Sequence, residues 1–500
     1  MRNVASLATT SLLVSAASAQ VVQWDIQRRE NPAPRLRKRA DNSVEEVITN
    51  ERMRGGYFAS CTVGTPAQEL TLQLDTGSSD IWVPATEASV CQDTSDGGGC
   101  TFGSFDYEKS STLEEINDQF QISYVDGSHS TGDYIGETFG IGNIKLTNVT
   151  MGLGLDTDIS YGLVGVGYAL NEASVSQTRQ IYDNLPVVMR NEGHIKTNAY
   201  SLWLNDLDAS KGNILFGGID TEKYTGDLVR VNVDEDARAQ NFTSFQVRLT
   251  SLEAHSSSGD DALTSASFPI PVVLDSGTTF SYLPTDIVTE IWQEVGAEYT
   301  VVSSDGSAVP LLPCDFGSSG NYFSFGFGGE GGPVIKVGMD ELVIPVQGKF
   351  TSGQYKGLDA CQFGIQNFTS DPYLLGDTFL RSAYVVYDLE NNEIAMAPTD
   401  FNSTKSNIVA FPSRGAEIPS STPAPSQDAT NSGPNDEPNY AAQKGFQDTS
   451  GSSNSGSGSS SNDDDDSAAS LPPALDLTQF AVMGASMGLM MFGGGMFLLF

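Results

Sequence analysis

Leu74-Asp75-Thr76-Gly77-Ser78-Ser79 and Leu274-Asp275-Ser276-Gly277-Thr278-Thr279 carry one pattern 200 positions apart, and Val83-Pro84 and Leu283-Pro284 follow them at the same offset. An isolated Asp-[Thr/Ser]-Gly is weak evidence, expected by chance roughly once in five such chains from average residue usage. Two copies with an apolar residue before, hydroxyls after and a shared downstream proline describe a duplication. They predict two similar lobes that each bring one carboxylate. Each copy also has a later apolar-apolar-Gly partner, Leu163-Val164-Gly165 and Leu374-Leu375-Gly376, which alone reads as a strand ending at a turn.

Around these motifs the chain consists of short β-branched and aromatic runs between Gly, Asn, Asp and Pro, such as Gly212 to Gly218 and Tyr384 to Asp388. This texture predicts an all-β body with brief helices, one over Asp286 to Val295. The 500 residues hold 26 Lys+Arg against 63 Asp+Glu, a net charge of −37, with 39% hydrophobic residues. The apolar fraction excludes a wholly disordered chain. The charge argues against nucleic acid as a partner, since a phosphate backbone needs clustered bases. Acidity of this kind either keeps an extracellular protein soluble or favours basic substrates and low pH.

The ends differ from the body. Arg2, an uncharged run through Leu12-Leu13-Val14 and the small residues Ala17-Ser18-Ala19 read as a signal peptide over 1–19, cut before Gln20. The alternative, a membrane anchor, needs a longer apolar run. Residues 20–39 hold Arg28, Arg29, Arg35, Arg37, Lys38 and Arg39 against Asp25 and Glu30. Arg35 to Arg39 reads as a dibasic processing site, making 20–39 a pro-segment and Ala40 the mature start. Complementary charge would hold such a segment across an acidic site until low pH or proteolysis frees it; the alternative is a solvated basic tail. Residues 402–467, rich in Ser, Thr, Pro, Gly, Asn and Asp, read as a stalk that cannot offset chain entropy, and Asp463 to Asp466 as a self-repelling extension. Beyond it, Ser467-Ala468-Ala469, a polar spacer and the apolar Phe480 to Phe500 form a signal for glycosylphosphatidylinositol (GPI) attachment near Ser467, with 468–500 removed. The alternative is a retained membrane helix. The globular part is then 40–401, divided into lobes 40–220 and 221–401.

In order over 55–401 stand Tyr57-Phe58 with Val63-Gly64-Thr65-Pro66, Asp75 through Trp82, the segment around Tyr124, Asp275 to Thr279, and Leu374-Leu375-Gly376-Asp377 through Asp388. On these residues the chain resembles the pepsin-like aspartic proteases. With its ends it is similar to the fungal GPI-anchored subgroup, the yapsins. The resemblance implies a bilobal β fold with its cleft between the lobes, and an endopeptidase in which Asp75 and Asp275 activate a water at acid pH. Two carboxyls in hydrogen-bond reach cannot both ionise, so such a pair keeps one proton and titrates as a unit. By the same resemblance Gly77 and Gly277 admit substrate backbone, Ser78 and Thr278 hydrogen-bond the carboxylates, and Thr278 and Thr279 contact substrate. Thr76 and Ser276 read as hydroxyls that lock the two loops together.

Asp126-Gly127, between Phe120 to Tyr124 and Tyr134 to Gly136, predicts a hairpin from the residues alone. The resemblance makes it a flap, with Tyr124 over the bound peptide and hydrogen-bonded to Trp82, and Asp126 offering backbone groups. The family usually has Gly where this chain has Val125, which implies a stiffer flap. Cleavage after Lys or Arg is also implied; Asp93, Asp96, Asp106 and Glu108 lie near the first motif to favour it, or form a solvated loop.

Five Cys in a secreted chain suggest two bridges and one residue over. Cys91 and Cys100 flank an acidic Gly-rich loop, Cys314 and Cys361 stand where the family has a bridge, and Cys61 reads as a small buried hydrophobe. Asn148, Asn241, Asn367 and Asn402 open glycosylation sequons. Gly326 to Gly331 matches a dinucleotide fingerprint, but Pro333 and the β-like Val334 to Val337 follow instead of a helix, so it reads as a flexible turn. His129, His194 and His255 suggest neither a metal site nor a Ser-His-Asp triad. The expected partners are peptide or protein substrates and, through the GPI anchor, the plasma membrane or cell wall. No nucleic acid and no cofactor are expected, and the protein reads as a monomer. The competing readings are an inert surface-binding protein on this fold and a soluble secreted protease.

Overall fold

The computed structural model describes residues 20–29, 56–94, 98–142, 144–209, 211–265, 267–301, 308–350, 352–369, 371–427, 439–440 and 446. The signal peptide, the run Arg35 to Arg39, Asp96, Ser467 and the apolar tail lie outside these residues. The first lobe is built from β1 (Val22–Arg29), β2 (Gly56–Val63), β3 (Gln68–Asp75), β4 (Ile81–Pro84), β5 (Glu114–Ser123), β6 (His129–Ile141), β7 (Ile144–Thr157) and β8 (Leu163–Gly165). Two short helices follow, α1 (Ala173–Thr178) and α2 (Leu185–Asn191). Then come β9 (Ala199–Trp203), β10 (Lys211–Phe216), β11 (Gly218–Asp220) and β12 (Leu228–Asn232). The second lobe opens with β13 (Gln246–Ser256), β14 (Gly259–Ala262), β15 (Ile270–Leu274), β16 (Ser281–Pro284) and α3 (Thr285–Val295).

Repetition in sequence becomes repetition in topology. In the first lobe β3 runs parallel to the Leu-Val-Gly strand β8, with Asp75 opposite Gly165. In the second, β15 runs parallel to Tyr373–Leu375, with Leu274 opposite Leu375. Each Asp therefore leaves the end of a buried strand pinned by a parallel neighbour. Leu74, Val164 and Val166 share one buried cluster with Leu249, Leu274 and Leu375. Burying each such side chain stabilises by roughly 1.5–3 kcal/mol, so the two loops stand on a common rigid floor.

The lobes meet in a shared sheet. Its hydrogen-bonded order runs from β12 through Glu393–Pro398, Ala383–Asp388, β9, β10 and β1 to β2 and the rest of the first lobe. The expected boundary at 220 falls at the end of β11, between β10 and β12, which both belong to this sheet. Residues 22–29, expected in the pro-segment, form β1, inserted between β10 and β2. Its alternation explains why: Val22, Trp24 and Ile26 are buried while Gln23, Asp25 and Gln27 face out.

The polar C-terminal run departs from the body later than its composition predicts. Ile408–Ala410 pairs with β11, and Ser421–Pro423 lies parallel to β12. Phe411, Ile418 and Ala424 are buried. The Lys223 ammonium donates to the carbonyls of Ser403 (2.8 Å) and Lys405 (2.9 Å), and Asp220 accepts from Ser406 Oγ and the Asn407 amide, both at 2.7 Å. Residues 402–427 thus form a strap on the body, so the stalk does not begin at 402. Isolated apolar residues, spaced too widely to read as an element, hold it there: Phe411 and Ile418 join one buried cluster and Ala424 another. The Gly-rich turn 328–331 packs against the strap: a Cβ on Gly329 would meet the carbonyl of Ser426, and one on Gly331 the ring of Pro425.

Candidate active site

Asp75 and Asp275 lie face to face, almost completely buried and within hydrogen-bond reach of each other. Each carboxylate is held in the same way. The Gly77 amide donates to Asp75 Oδ1 at 2.8 Å, and Ser78 Oγ makes a short hydrogen bond to Oδ2. The Gly277 amide donates to Asp275 Oδ1 at 2.8 Å, and Thr278 Oγ1 to Oδ2 at 2.6 Å. Burial first, and the neighbouring charge of Asp275 second, push the Asp75 carboxyl above the usual carboxylate range against the pull of Ser78 and Gly77. One proton is therefore retained on the pair at pH values where isolated carboxyls are ionised.

The loops are cross-linked by a reciprocal set of bonds. Thr76 Oγ1 donates to the Leu274 carbonyl at 2.9 Å and accepts from the Ser276 amide at 2.9 Å. Ser276 Oγ donates to the Leu74 carbonyl at 3.0 Å and accepts from the Thr76 amide at 3.2 Å. Both residues are buried, so these hydroxyls fix one loop against the other rather than facing the cleft. The glycines have a sharper reason than substrate access. A Cβ on Gly77 would strike the carboxylate of Asp275, and one on Gly277 that of Asp75. The two side chains can face each other only because these positions lack a Cβ.

The predicted hairpin joins β5 to β6. The Tyr124 amide donates to the Ser128 carbonyl (2.8 Å) and the Gly127 amide to the Tyr124 carbonyl (2.9 Å), with Gly127 at φ +81°. This is a three-residue loop ending in a left-handed glycine, which the Asp-Gly pair serves at its last two positions. Asp126 Oδ1 accepts from the Ser128 amide at 2.8 Å and stiffens the turn. Val125 does not need a positive φ here and is 41% exposed. Trp82 Nε1 donates to the Tyr124 hydroxyl at 2.7 Å.

Several supporting residues gave no sequence signal. Asn171 Nδ2 donates to the Gly77 carbonyl and Gln73 Nε2 to the Gly277 carbonyl, each at 3.1 Å. Single amides in ordinary contexts carry no pattern, so only the fold reveals them. Thr279 is half-buried at the rim, its carbonyl accepting from the Thr378 amide at 3.1 Å. Cys91 is bonded to Cys100 and Cys314 to Cys361, while Cys61 is a buried free thiol. Asn148, Asn241 and Asn402 are exposed and Asn367 is half-buried. Asp106, one of the acids near the first motif, is paired with Lys109 at 2.5 Å.

One arrangement has the connectivity of a triad without its setting. Ser324 Oγ meets His255 Nε2 at 2.9 Å, and His255 Nδ1 meets Asp260 Oδ1 at 2.8 Å, a Ser-His-Asp chain assembled from three strands. Ser324 is paired with Glu253 on one side and Lys336 on the other. Mid-sheet, its neighbouring amides are committed to the ladder, and an oxyanion would find no donors. The chain is a cross-strand link. Among the described residues no group of His, Cys, Asp and Glu could hold a metal ion.

The chain is similar to known proteins over most of its length. The chain is 40% identical over 441 residues to the probable aspartic-type endopeptidase OPSB of Arthroderma benhamiae, covering 84% of this chain and 86% of that one. It is 32% identical to aspartic proteinase 3 of Saccharomyces cerevisiae, covering 79% and 78%. The crystal structure of the aspartic proteinase from Irpex lacteus shares the fold, with a TM-score of 0.53 at 20% identity over 70% of this chain and 96% of that one. The pattern of the eukaryotic aspartyl protease family matches residues 56–399. With its duplicated Asp loops, all-β lobes and this match, the chain belongs to the eukaryotic aspartyl protease family and is an aspartic-type endopeptidase.

Proposed function

We propose that Asp75 and Asp275 act as the catalytic pair of a secreted, GPI-anchored endopeptidase that works at acid pH and prefers to cleave after basic residues. The observation that carries the chemistry is the pair itself: two buried carboxyls, each held by one amide and one hydroxyl, with one proton between them. The ionised member takes a proton from a water placed between them, and the protonated member donates to the scissile carbonyl. Tyr124, Asp126, Gly77, Gly277, Thr278 and Thr279 line the path of the peptide. Transition-state mimics with a tetrahedral hydroxyl, of the pepstatin type, should inhibit tightly.

Basic preference is supported by the excess of acids and by the Asp126 carboxylate at the flap turn. Asp106 contributes less than its position in sequence implies, because Lys109 neutralises it. Peptides differing only before the scissile bond, as Arg, Lys, Phe or Leu, test this: higher kcat/KM for Arg and Lys supports it, and higher kcat/KM for Phe and Leu rejects it. Surface anchoring is supported by the small triplet at Ser467, the spacer and the apolar tail. Release by phosphatidylinositol-specific phospholipase is the expected result, and retention after treatment contradicts it.

A further inference from the structure

Asp80 stands between Asp75 and Trp82 and is fully buried. Its carboxylate gathers three elements. Oδ1 accepts from the Tyr182 hydroxyl at 2.7 Å and the Tyr134 hydroxyl at 3.2 Å, and Oδ2 accepts from the Ala173 amide at 2.8 Å. Tyr134 is on β6, the return strand of the flap hairpin; Ala173 opens α1; Tyr182 lies in the loop beyond. The Asp80 carbonyl also accepts from the Gly165 amide at 2.9 Å, tying the residue to β8.

A buried carboxylate is tolerated only when its lone pairs are met. These three donors are neutral, and the Ala173 amide can serve only as a donor. Burial raises the Asp80 carboxyl and the Tyr182, Ala173 and Tyr134 donors lower it. Burial likewise takes the nearby Glu172 up, to about 9 against a single amide donor, so it is neutral at acid pH. An aromatic chain runs from the same cluster to the flap. Tyr182 packs edge-on to Tyr134 (5.9 Å), Tyr134 to Phe120 (5.3 Å), and Phe120 lies against Trp82 (6.4 Å). Trp82 is wholly buried and holds the Tyr124 hydroxyl.

We propose that Asp80 is a positioning residue for the flap: by drawing Tyr134, Tyr182 and the start of α1 onto one carboxylate, it sets Trp82 and so fixes Tyr124 above the carboxyl pair. The inference rests on reading residues 120–136 as the segment that covers substrate.

The test uses the full-length enzyme with D80N, Y182F, W82F and the double variant D80N/W82F. Active sites are counted by titration with a pepstatin-type inhibitor. Per titrated site, D80N should lower kcat/KM for an eight-residue peptide at least 10-fold, chiefly through KM, and Y182F, which removes one donor and keeps the ring, about 3-fold. The pH at which activity half-falls should not move. D80N/W82F should lose no more than W82F alone, because both act through Tyr124. Wild-type kcat/KM per site in both D80N and Y182F, a loss seen only as fewer titratable sites, or fully additive losses in the double variant would overturn the proposal. An unchanged W82F would overturn the flap reading itself, and the proposal with it.

Discussion

At the level of single residues, the facing of the two carboxyls depends on two positions that have no side chain. Gly77 and Gly277 sit where a Cβ would enter the opposing carboxylate. Gly77→Ala should therefore displace Asp275 while leaving the buried strands intact, and a misplacement of about 1 Å costs on the order of 10²-fold in rate. The measurement is kcat with circular dichroism as the check on folding; a Gly77→Ala enzyme at wild-type kcat would contradict the geometry. The pair was legible in the sequence because the duplication repeats charge, glycine, hydroxyl and proline together. Asp80 was not legible as a hub, since one acid before Ile81-Trp82-Val83 has no partner nearby in sequence; its donors at 134, 173 and 182 meet it only in the fold.

At the level of elements, the hairpin and the strap make opposite points. Asp126-Gly127 announced the hairpin because a turn of this kind needs a left-handed residue, although Gly127 closes a three-residue loop. Tyr124→Phe removes the hydrogen bond from Trp82, a net loss of about 0.5–1.5 kcal/mol, and should lower kcat/KM roughly 3- to 10-fold. Unchanged kcat/KM for a long peptide would show that this bond does not hold the flap. The strap was hidden because Ile408, Phe411, Ile418 and Ala424 lie scattered among polar residues with no period. Ending the chain after Phe401 uncovers Phe411's pocket and strips Lys223 and Asp220, both buried, of strap partners. Tm should fall by about 5–10 °C, whereas an unchanged Tm would mean the strap is only laid on the surface. The strand β1 was equally hidden, its alternation of Val22, Trp24 and Ile26 overshadowed by the basic residues that follow.

At the level of the whole molecule, the acid excess extends into the interior. Burial raises Asp75, Asp80, Asp377, Asp388 and Glu341, takes Glu294 to about 8 and Glu172 to about 9. Folded values above the unfolded ones mean that the folded state binds more protons in the interval between them. The stability this gives is complete below about pH 4, the ordinary carboxylate range, and is lost as pH rises through the raised values toward 8 to 9. Tm followed by calorimetry should thus be higher at pH 4–5 than at pH 8, the self-repulsion of a chain at −37 adding to the difference; a Tm that rises with pH would contradict it. The two lobes followed from the repeat, whereas the shared sheet, which includes chain from both ends of the body, depends on contacts too distant in sequence to leave a pattern. The central claim is that one carboxylate from each lobe is indispensable. The direct test is the rate of peptide hydrolysis at acid pH by folded Asp75→Asn and Asp275→Asn enzymes: both should fall by at least about 10²- to 10⁴-fold, and a folded Asp275→Asn enzyme cleaving at the normal rate would contradict the account.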